Sequence, residues 1–181
     1  MTTPGQTIGP FFGQALPYPG GPELVPAGRA DAIRLHGVVY DGDGAPIPDA
    51  LIEIRQADAS GQVPREEGSL HRDGWTFTGW GRSETDRTGR YSFTTVLPGP
   101  TEEGSAPFFA VVVFARGLLD RLFTRIYLPD HPANASDALL SSLDEPDRAT
   151  LVASADATGL RFDIRLQGEG ETVFLQHDRP A

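Results

Sequence analysis

The sequence predicts an all-β protein, a β-sandwich with an extended N-terminal arm and one or two short helices. Glycine and proline are abundant, at 21 and 16 of 181 residues, while helix-forming runs are scarce. Short apolar segments with a period of two residues alternate with turn residues, which is the pattern of strands that bury one face. A chain of this length can bury one well-packed core, so we expect one such domain.

The clearest strand pattern lies in residues 35–58, which read LHGVVYDGDGAPIPDALIEIRQAD. The β-branched and aromatic VVY precedes DGDG, whose aspartates and glycines favour a turn. In the next strand Ile52 and Ile54 point to one face, while Glu53 and Arg55 point to the other. The pattern predicts a strand, a turn and a second strand paired as a hairpin.

The same kinds of pattern predict further strands and helices along the chain. A second hairpin is predicted around residues 86–89, a DRTG turn, because Tyr91 and Phe93 alternate with polar residues after it. Residues 107–115 are apolar on both faces, which predicts a strand in the middle of the sandwich or one covered by a partner. Asp144 can cap a short helix that has a proline in its first turn. The remaining elements are strands at 79–85, 89–96, 121–128 and 160–166, and helices at 137–143 and 146–152.

Residues 1–30 are predicted to form an extended arm, and residues 31–181 the sandwich domain. The prolines of the arm cannot donate backbone hydrogen bonds, which argues against a helix or a central strand there. The arm also carries Ile8, Phe11 and Phe12, and apolar side chains are costly to leave in water. We therefore expect the arm to be covered, either by its own sandwich or by another chain.

The composition excludes several classes of function. The formal charge of −10 and the pI near 4.7 disfavour binding to nucleic acids and to anionic membrane surfaces. The chain has no cysteine, so it can form neither a disulfide nor a thiolate metal site. Its first residues have neither the basic start nor the apolar stretch of a signal peptide, and its longest apolar run is too short to cross a bilayer. We expect a cytoplasmic protein that binds no membrane.

Several motifs spread over nearly the whole chain point to one family. They are T-x-G-P before an aromatic residue (7–11), G-x-V-x-D-x-x-G-x-P-I-P-D-A-x-I-E-I-x-Q-A-D (37–58), G-R-x-x-T-D-x-x-G-x-Y-x-F (81–93), F-A-R-G (114–117), T-R-x-Y (124–127) and R-F-D-I-R-x-Q-G-E-G-E-T-V-F (161–174). Together they resemble the intradiol ring-cleavage dioxygenases. The first half of the second motif also occurs in transthyretin-like β-modules, and its Q-A-D ending is the more selective part. The resemblance implies an immunoglobulin-like or prealbumin-like sandwich.

The resemblance also implies a metal site whose ligands are missing from this chain. Family members bind a non-haem ferric ion with two tyrosines and two histidines, donors that suit a ferric centre. Their catalytic chains carry the histidines as H-x-H, at the positions of Phe108 and Ala110 here. One tyrosine follows P-G-P, where this sequence has Thr101, and the other belongs in the loop at 59–78, which contains none. Apolar side chains cannot hold a cation, so we expect no metal ligand and no catalytic residue in this chain.

The resemblance therefore implies that this chain is of the iron-free subunit type found in the heteromeric members of the family. These pair with a ligand-bearing β subunit, which holds iron(III), in higher-order αβ hetero-oligomers. They cleave 3,4-dihydroxybenzoate with O2 to 3-carboxy-cis,cis-muconate, in the β-ketoadipate pathway of aromatic catabolism. By the same resemblance, the substrate-binding residues of this chain are Gly9, Pro10 and Phe11, which line the pocket, and Arg116, which faces the anionic substrate. Arg125 is interpreted as an interface or surface charge.

Two other hypotheses remain open at this point. A stand-alone β-sandwich binding or interaction module would be a soluble monomer that depends on no second chain. A self-sufficient dioxygenase would need other metal ligands, and its purified chain would contain iron. The histidines are widely separated along the sequence, without the spacing that places two on one face, so we interpret them as surface or turn residues. They are His36, His71, His131 and His177.

Overall fold

The computed structural model describes residues 8–9, 11–65 and 73–176, and within these ranges the ordered elements are mostly strands. The strands are β1 (Ile33–Tyr40), β2 (Leu51–Arg55), β3 (Trp80–Glu84), β4 (Arg90–Thr95), β5 (Phe108–Phe114), β6 (Leu122–Tyr127), β7 (Ser154–Asp156), β8 (Gly159–Arg161) and β9 (Ile164–Arg165). The helices are α1 (Phe12–Ala15), α2 (Ala138–Ser142), α3 (Glu145–Ala149) and a 3-10 turn at Pro132–Ala135. The prediction of a mostly β protein is confirmed, but the described ranges contain three short α-helices and a 3-10 turn where one or two helices were predicted.

The strands form two sheets. Sheet I has the order β4-β1-β8-β7, and β9 also pairs with β1. In this sheet β1 is antiparallel to β4 and parallel to β8 and β9. Sheet II has the order β3-β2-β5-β6 and is antiparallel throughout. Strand β5 therefore has a hydrogen-bonded neighbour on each side, as predicted for the apolar segment at 107–115.

One hydrophobic core joins the inward faces of both sheets. Leu35 and Val39 of β1 contribute from sheet I, and Val111 and Val113 of β5 contribute from sheet II, each at most 1% exposed. Their spacing by even numbers of residues is the strand period that the sequence predicts. A smaller cluster lies where α2 and the residues after α3 pack on β6, and it contains Ala106, Tyr127, Leu140 and Leu151.

The two predicted hairpins are wrong, because each pair of strands is divided between the sheets. After β1 a tight turn forms, in which the Ile47 N–H donates to the Val39 carbonyl, and the chain then crosses to β2 in sheet II. The turn at residues 86–89 marks the crossing back, from β3 in sheet II to β4 in sheet I. Alternation along a strand identifies its buried face but not its hydrogen-bonded neighbour, so a crossing and a hairpin look alike in sequence.

The last predicted strand, residues 160–166, is interrupted. β8 and β9 both pair with β1, but between them the Val38 N–H donates to the Asp163 side chain at 3.0 Å. The neighbouring Phe162 carbonyl accepts the Tyr91 hydroxyl at 2.6 Å and lies against Gly37, where a Cβ would be 1.7 Å from it. Glycine is needed at position 37 because any side chain would meet backbone there.

The N-terminal segment differs in part from the predicted extended arm. Positions 11–16 contain no proline, and they form the single turn α1, in which the Phe11 carbonyl accepts the Gln14 and Ala15 N–H groups. Further on, Leu24 and Val25 are buried, and the Leu24 N–H donates to the Thr94 carbonyl at 2.8 Å. This later part of the segment is therefore covered by its own sandwich.

Both predicted helices in the second half of the chain are confirmed. Asp137 caps α2 by accepting the Leu139 and Leu140 N–H groups, and Asp144 caps α3 by accepting the Asp147 N–H. These side chains satisfy amides that have no partner within the helix. Each helix has only five residues. None of the helices in the described ranges has the length and apolar character needed to span a membrane.

Candidate functional site

The outward face of β5 is apolar along its whole length. Its odd-numbered residues from 109 to 113 are buried in the core, while the even-numbered ones are half-buried on the outer side of sheet II. An outward face of this kind is normally polar in a sheet with one wetted side. The outward face of β5 therefore has the character of an interface rather than of a free surface. The four outward residues are Phe108, Ala110, Val112 and Phe114.

The first two of these residues stand where the resemblance places metal-binding histidines, and they line a cavity of about 330 Å³. The Arg125 guanidinium lies 4.1 Å from the centre of the Phe108 ring, a cation–π distance. Arg125 also donates to the Tyr127 hydroxyl at 3.1 Å, and that hydroxyl donates to Asp137 at 3.0 Å. Burial raises the pKa of the Tyr127 phenol, so it remains a neutral hydrogen-bond donor.

These residues do not fit a ferric ion. Phe108 and Ala110 have no donor atom, and the Arg125 guanidinium over the Phe108 ring opposes binding of another cation. Thr101, at the position of a third ligand, lies on a different cavity of about 850 Å³ formed with residues 58–65. In the ranges that the structure describes, no three histidine, aspartate or glutamate side chains are grouped so as to hold a metal.

Arg116 lies at the opposite end of β5, two residues after its last residue. Its side chain is 75% exposed and forms an ion pair with Asp49 at 2.6 Å. The ion pair joins the loop after β5 to the turn before β2, so the guanidinium is held at the end of the two central strands of sheet II while most of its surface stays accessible. An exposed arginine on a rigid strand end can pair with a carboxylate supplied from outside the chain.

The N-terminal arm reaches the same end of β5. Its Ile8 and Phe12, with Phe114 and Leu119, line a cavity of about 260 Å³. Gly9 has a φ of +82° with open space around its α-carbon, and Phe11 is 68% exposed. The structure thus brings three of the four predicted substrate-binding residues to this region. The fourth, Pro10, lies outside the described residues.

The two sets of residues are far apart along one strand. At about 3.3 Å per residue, β5 alone places Phe114 about 13 Å from Ala110, and Arg116 lies two residues beyond Phe114. The arm and Arg116 therefore lie well away from Phe108 and Ala110, the positions at which the resemblance places histidines. If they face a metal centre, that centre belongs to another chain placed against this end of the sheet.

Some contacts of the site could not be predicted from the sequence. Arg125, interpreted from the sequence as an interface or surface charge, is half-buried and stacked on Phe108, a contact that the sequence did not indicate. His36 pairs with Asp156 at 3.1 Å, although 120 positions separate them. His131 caps the 3-10 turn by accepting the Ala133 N–H. Of these contacts, only the His131 cap could have been predicted from neighbouring residues, because His131 is a polar residue directly before a proline at a helix start.

Comparison with known proteins assigns the chain to a family. The family model described as Dioxygenase matches residues 9–112. The chain is 40% identical to the protocatechuate 3,4-dioxygenase alpha chain of Burkholderia cepacia, over 96% of each chain. It is 36% identical to the alpha chain of Pseudomonas putida, over 96% of this chain and 95% of that one. Identity to the Burkholderia cepacia beta chain is lower, at 32% over 78% of this chain and 67% of the relative.

A solved structure agrees with these matches. The dioxygenase domain of a dioxygenase carbohydrate-binding protein fusion from Streptomyces sp. SirexAA-E superposes with a TM-score of 0.62. The match has 25% sequence identity and covers 93% of this chain and 99% of that domain. The two-sheet fold, the motifs and the relatives lead to the same conclusion. The chain belongs to the intradiol ring-cleavage dioxygenase family.

Proposed function

We propose that this chain is the iron-free alpha-type subunit of a heteromeric protocatechuate 3,4-dioxygenase. The observation that carries the proposal is the chemistry of β5, where Phe108 and Ala110 replace the expected histidines and Arg125 stacks on the former. A chain with this strand cannot supply the metal site of its family. It retains the fold, and relatives named as alpha chains match it almost from end to end.

In the proposed complex, iron(III) is held by a ligand-bearing beta-type subunit, and several αβ units assemble into one hetero-oligomer. The existence of a separate beta chain among the relatives supports this division of labour. The apolar outward face of β5 supports it as well, since a partner would cover side chains that are costly to expose. The proposed complex uses O2 to open 3,4-dihydroxybenzoate between its hydroxyl-bearing carbons. The product is 3-carboxy-cis,cis-muconate, an intermediate of aromatic catabolism in the β-ketoadipate pathway.

The residues of this chain would bind and orient the substrate. Arg116 would pair with the substrate carboxylate, since a desolvated anion needs a fixed cation or hydrogen-bond donors. Gly9 and Pro10 would allow close approach of the ligand, because neither has a long side chain, and Phe11 would form an apolar wall. The exposure of Arg116 and Phe11 supports this role, because both side chains remain available to a neighbouring chain.

The finer description of the molecule is part of the same proposal. We assign residues 1–30 to an arm and residues 31–181 to a sandwich of the immunoglobulin-like or prealbumin-like type. We also assign the protein to the cytoplasm, where the proposed pathway would use it. Substrate and oxygen are the small-molecule partners, and neither nucleic acid nor membrane is involved, in keeping with the net charge of −10.

The proposal is tested by expressing the chain alone and together with a ligand-bearing intradiol subunit. We expect the lone chain to be colourless, free of iron and inactive, and the coexpressed chains to copurify, contain iron and cleave protocatechuate. A lone chain that contains iron and opens the ring would instead identify a self-sufficient dioxygenase. A stable monomer that never associates with the second subunit would favour the binding module.

A further inference from the structure

A cluster of basic side chains lies on the outward face of sheet I, away from β5. Arg34 and His36 point outward from β1, and the register of the sheet places Ser92 and Arg161 on either side of His36. Arg90 lies two residues before Ser92 on the same strand and faces the same way. Three arginines from three adjacent strands therefore surround one histidine.

These side chains line a cavity of about 260 Å³, which we call the arginine pocket. Three arginines, Arg34, Arg90 and Arg161, face it, and Asp156 is the acidic residue in its lining. Counting the histidine as neutral, the lining has a formal charge of +2 in a chain whose net charge is −10. Like charges held together on a rigid sheet repel one another unless a counter-charge is present.

The nearby carboxylates are already engaged. Asp156 accepts the Thr158 N–H and hydroxyl, both at 2.7 Å, and its other oxygen faces His36 at 3.1 Å. These hydrogen bonds lower the pKa of Asp156 to about 2, so it is ionised at neutral pH. Asp163 lies beside the pocket and forms an ion pair with Arg161 at 2.8 Å.

The other two guanidinium groups of the pocket, those of Arg34 and Arg90, are in no close ion pair within the described residues, although the charge of Arg90 helps to lower the pKa of Asp86. Arg34 donates one hydrogen bond, to the Ser92 hydroxyl at 3.3 Å. A guanidinium has five N–H donors, so both side chains keep most of their capacity for a ligand.

We propose that the arginine pocket binds a small oxyanion, carrying a phosphate or carboxylate group, between Arg34 and Arg90. Guanidinium groups are well suited to such ligands because each can donate two parallel hydrogen bonds to the oxygens of a carboxylate or phosphate. The pocket faces away from the core on sheet I, whereas the proposed subunit interface lies on sheet II. The proposal therefore stands or fails independently of the proposed dioxygenase function.

The test is isothermal titration of the full chain, in the assembly in which it is purified, with inorganic phosphate and separately with citrate. Ionic strength is held constant with sodium chloride. We expect saturable binding of at least one of the two probes, and the one bound more tightly identifies the group that the pocket prefers. Arg34→Gln with Arg90→Gln should weaken binding by at least about tenfold, because each lost charge-assisted hydrogen bond changes affinity by about that factor.

A matched control removes the same charge elsewhere, through Arg29→Gln with Arg87→Gln. This control should bind the probes like the unaltered chain, because neither residue lines the arginine pocket. The single variants at Arg34 and Arg90 show whether each residue contributes, and circular dichroism confirms that every variant is folded. Absence of saturable binding to both probes, or equal losses in the double variant and its control, would overturn the proposal.

Discussion

Removal of the Arg116 side chain should impair substrate use by the heteromer while leaving the chain folded. The ion pair of Arg116 with Asp49 is largely exposed, with the arginine side chain 75% accessible, and solvent screens such pairs. An exposed ion pair contributes only about 0–1 kcal/mol to stability. Arg116→Ala should therefore shift the midpoint of urea unfolding only slightly.

The expected functional effect is much larger. In a substrate pocket closed by two subunits, a hydrogen bond between the guanidinium and the substrate carboxylate would contribute about 1.5–3 kcal/mol. This free energy corresponds to a loss of about 10- to 150-fold in kcat/KM for protocatechuate. We expect the loss to lie mainly in KM, because Arg116 would contact the carboxylate and not the carbons that react with oxygen.

Steady-state oxygen uptake by coexpressed, purified complexes gives both constants. Arg116→Lys should recover part of the activity, because it restores the charge without the planar pair of donors. Asp49→Asn should remain active, since it removes the ion-pair partner but leaves the guanidinium in place. An Arg116→Ala complex with normal KM and turnover would refute the reasoning and remove this residue from the proposed site.

Two further predictions concern the fold. Gly37→Ala should destabilise the chain by more than about 3 kcal/mol in urea unfolding, because the added Cβ would lie 1.7 Å from the Phe162 carbonyl oxygen. Gly28→Ala is the control, because an added Cβ there would meet no atom within 4 Å. Equal losses of stability in the two variants would contradict the predicted clash. The pKa of Asp156 is lowered to about 2, mainly by the Thr158 hydroxyl, so its contribution to stability exists above pH about 4 and is lost as the pH falls through about 2. Asp156→Asn should be less stable than the unaltered chain at pH 7, and the difference in the free energy of unfolding should shrink as the pH falls from about 4 to about 2; a difference that does not depend on pH would contradict this.

Local patterns in the sequence were sufficient to predict most of the elements. The alternation of apolar residues located the strands because each one buries a single face against the core. Asp144 located the start of α3, since its side chain caps a free amide, whereas the capping role of Asp137 before α2 was not predicted. The turn α1 was missed because the prolines around it outweighed a short stretch that contains none.

The assignment of strands to sheets could not be predicted in the same way. Whether β2 pairs with β1 or crosses to β5 depends on backbone hydrogen bonds, which leave no trace in side-chain alternation. The interruption of the last strand at Asp163 could not be predicted either. There the Asp163 side chain, and not a backbone carbonyl, accepts the Val38 N–H, and apolar alternation does not report such a substitution.

The candidate site was only partly accessible from the sequence. The family resemblance gave Gly9, Phe11 and Arg116, and strand geometry then showed that they lie far from the former ligand positions. Arg125 on β6 stacks on Phe108 of the adjacent strand β5, and neither strand's own sequence predicts this contact. The arginine pocket likewise depends on the register of three strands.

The guanidinium stacked on Phe108 limits how this strand could be altered to hold a metal. Phe108→His would place an imidazole beside a fixed positive charge and would remove the ring on which Arg125 rests. That single replacement would therefore lose packing without creating a cation site. A metal site on this strand would need Ala110 and Arg125 to be replaced as well, so the present packing of β5 favours an apolar surface without a bound cation.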